Sequence, residues 1–99
     1  ERRRLRMVWH WIKNKRPSRK ILKQRIEDDI TVVYGKNLEI CYLNKSAGIV
    51  LSMSDGKNTV SDIAQNMLKR FDVDEVSLQN DLVDIIRDLQ WKNILVLED

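Results

Sequence analysis

The chain predicts a mixed α+β fold, a three-stranded antiparallel sheet followed by a three-helix bundle, on three observations. Ile30 to Tyr34 is a β-branched and aromatic run, followed by turn residues and a returning apolar stretch. Thr59 and Asp62 stand three apart at the head of an apolar stripe with helical period. A second stripe of that period follows Asp74 and runs to Leu89.

The strands come first. Lys20 to Ile26, a mixed apolar and basic run, reads as a first strand and Ile30 to Tyr34 as the second. Gly35, Lys36 and Asn37 supply a turn, because glycine and asparagine tolerate positive φ, so Leu38 to Leu43 returns as a third strand. In that strand Leu38, Ile40 and Tyr42 share one face, and Glu39, Cys41 and Leu43 the other. So small a sheet needs helices over one face to be stable.

Asn44 caps a short helix that turns Ala47, Ile49, Val50, Leu51 and Met53 inward, and Asp55-Gly56 stops it. Thr59 caps the second helix, with Asp62 as its reciprocal partner and a stripe of Val60, Ile63, Ala64, Met67, Leu68 and Phe71. Asp74 caps the third, whose core stripe is Leu78, Leu82, Ile85, Ile86 and Leu89. Asn93 ends it in a left-handed conformation, and Ile94 to Leu97 form a short extended tail. Gly48 weakens the first helix, since glycine costs about 1 kcal/mol against alanine there.

Charge is unevenly spread. Residues 1–25 hold eleven of the 18 lysines and arginines against Glu1 alone, and the remainder hold seven against fourteen acidic residues. The chain therefore divides into a basic arm, residues 1–18, and an acidic body, residues 19–99. Leu5, Val8, Trp9 and Ile12 follow helical spacing, and Met7 and Trp11 widen the apolar side, so Arg3 to Lys15 reads as a basic amphipathic helix. It suits an anionic membrane, nucleic-acid phosphates, a partner protein met through the tryptophans, the acidic body itself, or a frayed segment, and the sequence leaves these open. Pro17 and Ser18 end the arm.

Several function classes fall away. Hydrophobic and charged fractions of 42% and 33% are those of a soluble globular domain, and 99 residues bury one core with little stability to spare. No apolar run approaches the ~20 residues of a membrane-spanning helix. No secretory core opens the chain, which starts at Glu1 rather than Met, as a trimmed or partial chain would. The single Cys41 forms no internal disulfide and suits a reducing, cytoplasmic setting. His10 is the sole histidine, so neither a zinc site nor a Cys–His nucleophile has support. Asp28-Asp29 reads as a turn, and Gly35, Gly48 and Gly56 form no phosphate loop. The expectation is a binding module without catalytic residues, metal or cofactor.

The run Leu43-Asn44-x-Ser46-Ala47, then Asp55-Gly56-x-x-Thr59-Val60-x-x-Ile63-Ala64, then Phe71-Asp72-Val73-Asp74 resembles the PqqD-like family. Those are the leader-peptide recognition domains of pathways that modify ribosomally made peptides. The resemblance covers roughly Ile30 to Leu95 and departs at Gly48 and at Asn93, where many relatives carry glycine. It implies a winged helix-turn-helix-like fold that binds the leader as an added antiparallel strand, beside the third strand and against the third helix. Carried onto this chain, the receiving edge is Leu38, Glu39, Ile40, Cys41 and Tyr42. Gln79, Val83, Ile86, Arg87 and Gln90 form the helix shoulder beside the core stripe. There Val83 and Ile86 would floor a pocket for a large leader side chain, and Arg87 would pair with an acidic one.

The implied partners are a precursor leader peptide and a separate modifying enzyme, a radical-type maturase or the leader protease of a lasso-peptide pathway, docked through the basic arm. An unfilled edge leaves a homodimer by strand or arm exchange open. The rival function is a winged-helix nucleic-acid-binding protein. From Asp74 to Lys92, however, five acidic residues stand against Arg87 and Lys92, the wrong sign for a helix among phosphates. Neither nucleic acid nor membrane is therefore expected as a partner.

Overall fold

The computed structural model describes residues 2–37 and 39–99, with side chains from residue 6 onward. Its elements are α1 (Arg2–Ile12), β1 (Arg16–Arg19), β2 (Ile21–Glu27), β3 (Ile30–Gly35), β4 (Ile40–Leu43), α2 (Lys45–Ser52), α3 (Val60–Arg70), α4 (Glu75–Trp91) and β5 (Leu95–Glu98). β2, β3 and β4 form the expected antiparallel sheet, in that order. The fold is thus of the predicted α+β class, with a fourth helix at its N-terminal side.

A second sheet is new. β1 and β5 pair antiparallel from Arg16–Glu98 to Arg19–Leu95, so the segment read as the end of an arm and the segment read as a tail close on each other. Pro17 has no N–H, yet a two-stranded ribbon asks only alternate residues to donate across it. The carbonyl of Pro17 accepts the Gly56 N–H at 2.9 Å on the other side.

Helix ends follow the local chemistry expected of them. The Asn44 side chain accepts the Ala47 N–H at 2.9 Å. Thr59 and Asp62 complete a reciprocal capping box at 3.0 and 2.9 Å, and Asp74 accepts the Ser77 N–H at 2.9 Å. Asn93 takes φ +58°, and the Asn93 and Ile94 N–H groups return to the carbonyls of Gln90 and Leu89. That pair of bonds satisfies the last turn of α4. In the loop after α2, the N–H groups of Asn58 and Lys57 hold the Asp55 carboxyl below its ordinary range.

The basic N-terminal segment is stitched into this frame at two helix ends. The carbonyls of Lys15 and Lys13 accept the N–H groups of Val60 and Ser61, both at 2.9 Å, and so satisfy the first turn of α3. The Arg19 guanidinium donates to the carbonyl of Ser52 at 2.8 Å and to that of Leu51 at 3.3 Å, at the C-terminal end of α2, where a cation is favoured. Trp9 and Ile12 of α1 are buried in the same core as Leu82, Val83, Ile86 and Leu89 of α4. Among the alternatives left open for α1, the structure has the helix lying on its own body.

α4 is the element against which α1, α2, α3 and β5 all pack. The sheet adds Val33 and Leu43 from its inner face, α2 adds Val50 and Leu51, and α3 adds Val60, Ile63, Ala64 and Met67. Gly48 proves to be a packing requirement rather than a weakness. A Cβ placed there would stand 2.4 Å from the Thr31 hydroxyl oxygen, so only glycine lets α2 lie this close to β3.

Two stability outcomes follow. Thr59→Ala should cost about 1 kcal/mol, seen as a lower denaturant midpoint at unchanged slope. Gly48→Ala should destabilise by about 1–3 kcal/mol despite its better helix propensity. Adding Thr31→Ala should restore most of that loss, and a Gly48→Ala single variant as stable as the parent would contradict the packing account.

Candidate functional site

β4 is an edge strand: among the described residues it pairs with β3 alone. Which of its groups are open follows from one hydrogen bond. The Gly35 N–H donates to the Glu39 carbonyl at 2.9 Å, and the register continues through Tyr34–Ile40, Val33–Cys41, Val32–Tyr42 and Thr31–Leu43. Hydrogen-bonded and non-hydrogen-bonded pairs alternate along an antiparallel ladder. The backbone N–H and C=O groups of Cys41 and Leu43 therefore point to β3, and those of Ile40 and Tyr42 point to the open edge.

Side chains divide the other way. Ile40 and Tyr42 stand 50% and 70% exposed on the outer face of the sheet. Cys41 and Leu43 turn inward, the first half-buried and the second buried. On that inner side an open groove of about 280 Å³ separates β4 from α4. Leu43, Ala47 and Ile85 give it an apolar floor, Tyr42 and Asn44 its strand side, and Asp84, Asp88 and Lys92 its helix side.

The groove is electrostatically lopsided. Lys92 Nζ donates to Asp88 Oδ2 at 2.8 Å, one helical turn away. That hydrogen bond, against a smaller opposing effect of burial, holds the Lys92 pKa above its ordinary value, so the amine stays charged. Among the described residues no ion pair reaches Asp84. Asp81, exposed on the same shoulder of α4, carries the same sign.

The residues expected from sequence are distributed as follows. Leu38 lies outside the described residues. Glu39, Ile40, Cys41 and Tyr42 sit at the edge as described. On α4, Val83 and Ile86 are fully buried and so cannot floor an open pocket. Gln79 lines a small cleft with Arg6 and Trp9 of α1. Arg87 lines a groove of about 490 Å³ with Met7, Val8 and Trp11 of α1. Val83, four residues from each, falls beneath α1, and Gln90 is exposed on the same side. The named shoulder is thus brought together, but against α1 rather than β4.

The physical reason is a symmetry of the helical wheel. A core stripe has two shoulders, and periodicity alone does not say which neighbour covers which. The shoulder that faces β4 is Asp84, Ile85, Asp88 and Lys92, and of these only Ile85 stood among the expected positions, as core. The available signal was the row of charges at 84, 88 and 92, in four-residue steps beside Ile85.

No curated protein and no solved structure matches the chain. The family model described as coenzyme PQQ synthesis protein D (PqqD) matches residues 29–95, which include β3, β4 and all of α4 but none of α1 or β1. Matched over more than half of its length, with the open edge and the groove helix inside the match, the chain belongs to the PqqD family.

Proposed function

We propose that the chain binds the leader segment of a ribosomally made precursor peptide as an extra strand on β4 and presents it to a separate modifying enzyme, a radical-type maturase or a leader protease. Membership in the PqqD family implies the coarser role, a non-catalytic, peptide-binding accessory protein in the making of modified ribosomal peptides. The observation that carries the finer reading is the outward-facing backbone of Ile40 and Tyr42 beside an open groove.

Strand addition divides the work between backbone and side chains. An extended peptide satisfies the open N–H and C=O groups whatever its sequence, and the groove discriminates through alternate side chains. Guest side chains pointing inward meet Leu43, Ala47 and Ile85, and those pointing outward meet Ile40 and Tyr42. A nucleic-acid role draws no support from α4, because Asp81, Asp84 and Asp88 are exposed and phosphate would meet like charge. The enzyme would use the opposite side of α4, where α1 leaves Met7 and Trp11 exposed beside Arg87. Peptide and enzyme are then held on separate shoulders of one helix.

Two substitutions test the edge. Tyr42→Val removes the ring but keeps the N–H that points outward, and Tyr42→Pro removes both. Proline is tolerated on an edge strand when the missing N–H faces solvent, so both variants should fold. By titration calorimetry against the precursor peptide, Tyr42→Pro should bind about five- to tenfold more weakly than Tyr42→Val, the loss expected for one backbone hydrogen bond. Equal affinities would count against strand addition. Val83→Asp is no test of the groove, since a carboxylate there would be buried without a partner and would report on folding.

A further inference from the structure

We infer that the groove beside β4 selects a cationic peptide, an extended segment that turns a lysine or arginine and a neighbouring apolar residue to the same face, and that Asp84 reads the charge. The inference rests on strand addition at β4 and specifies which peptides that edge accepts.

The helix wall of the groove presents three charged side chains one turn apart, Asp84, Asp88 and Lys92. Two of them neutralise each other through the 2.8 Å contact between Lys92 and Asp88. Asp84 is left with no ion pair among the described residues, and exposed Asp81 adds negative charge on the same shoulder. A guest carboxylate entering this cleft meets net repulsion. An ammonium or guanidinium meets a carboxylate that no ion pair engages among the described residues, and complementary charge there favours the cationic guest over the anionic one.

Successive side chains on one face of a strand are about 6.6 Å apart, so two inward guest side chains fit along the groove together. One covers the apolar floor of Leu43, Ala47 and Ile85, and the other reaches the helix wall at Asp84. Outward guest residues face Ile40 and Tyr42, which carry no charge and impose none.

Selection from a random peptide display library on the full chain, in parallel with Asp84→Lys, tests this. Asp84 is exposed, so the variant should keep its fold, verified by circular dichroism. The parent chain should enrich lysine or arginine at one position of the consensus, and Asp84→Lys should enrich aspartate or glutamate there. A selected cationic peptide should bind Asp84→Lys about tenfold more weakly than the parent, with the difference shrinking as salt is raised. Selected peptides that lose affinity in Tyr42→Pro yet show no cationic preference, or bind Asp84→Lys equally, overturn the charge selection and leave strand addition standing. Selected peptides indifferent to Tyr42→Pro overturn strand addition and the charge selection with it.

Discussion

α1 seals the side of α4 that carries Val83 and Ile86, and the surfaces left for partners follow from that seal. Burying two such side chains completely contributes about 1.5–3 kcal/mol each, a large share of the roughly 5–15 kcal/mol by which a domain is stable. The seal is also fixed at its far end. The carbonyls of Lys13 and Lys15 serve as hydrogen-bond acceptors for the first turn of α3, so moving α1 away would strand both buried apolar side chains and helix N–H groups. With that side closed, the shoulder carrying Asp84, Ile85, Asp88 and Lys92 is the one turned to β4.

An open strand edge is normally a hazard, because its unpaired backbone groups pair with any extended chain. This molecule limits the hazard without covering the edge. β4 is only four residues long, and the wall facing it is charged. A non-polar segment from a second copy would find backbone partners but would also have to lie against Asp84 and Asp88. Under the proposed selection, the same charges that discourage indiscriminate pairing would also set the groove's preference, so selectivity and protection would come from one row of side chains. On the outer face, Lys23 and Arg25 of β2 lie over the ring of Tyr34, the residue paired with Ile40, and give that face a cationic margin.

Much of the fold was legible because it is encoded within a few residues. The hairpin around Gly35, the Asn44 and Asp74 caps, the Thr59–Asp62 box and the left-handed Asn93 each depend on neighbours no more than a turn away. What was not legible depends on distant contacts. The β1–β5 ribbon joins segments at opposite ends of the chain, each only four residues long and one containing proline. Gly48 looked like a defect because Thr31, the residue that demands it, lies on another element. The strand half of the candidate site followed from the alternation of Ile40 to Leu43. The helix half did not, since Gln79, Val83 and Arg87 could be placed beside a core stripe but their neighbour, α1, could not.

The most direct test of the account is residue-resolved hydrogen exchange on the full chain, with and without the precursor peptide. Bound peptide should slow exchange at the amides of Ile40 and Tyr42, which face the open edge, while Cys41 and Leu43, already bonded to β3, change little. Saturating peptide that leaves Ile40 and Tyr42 exchanging as fast as in the free protein would contradict strand addition at β4.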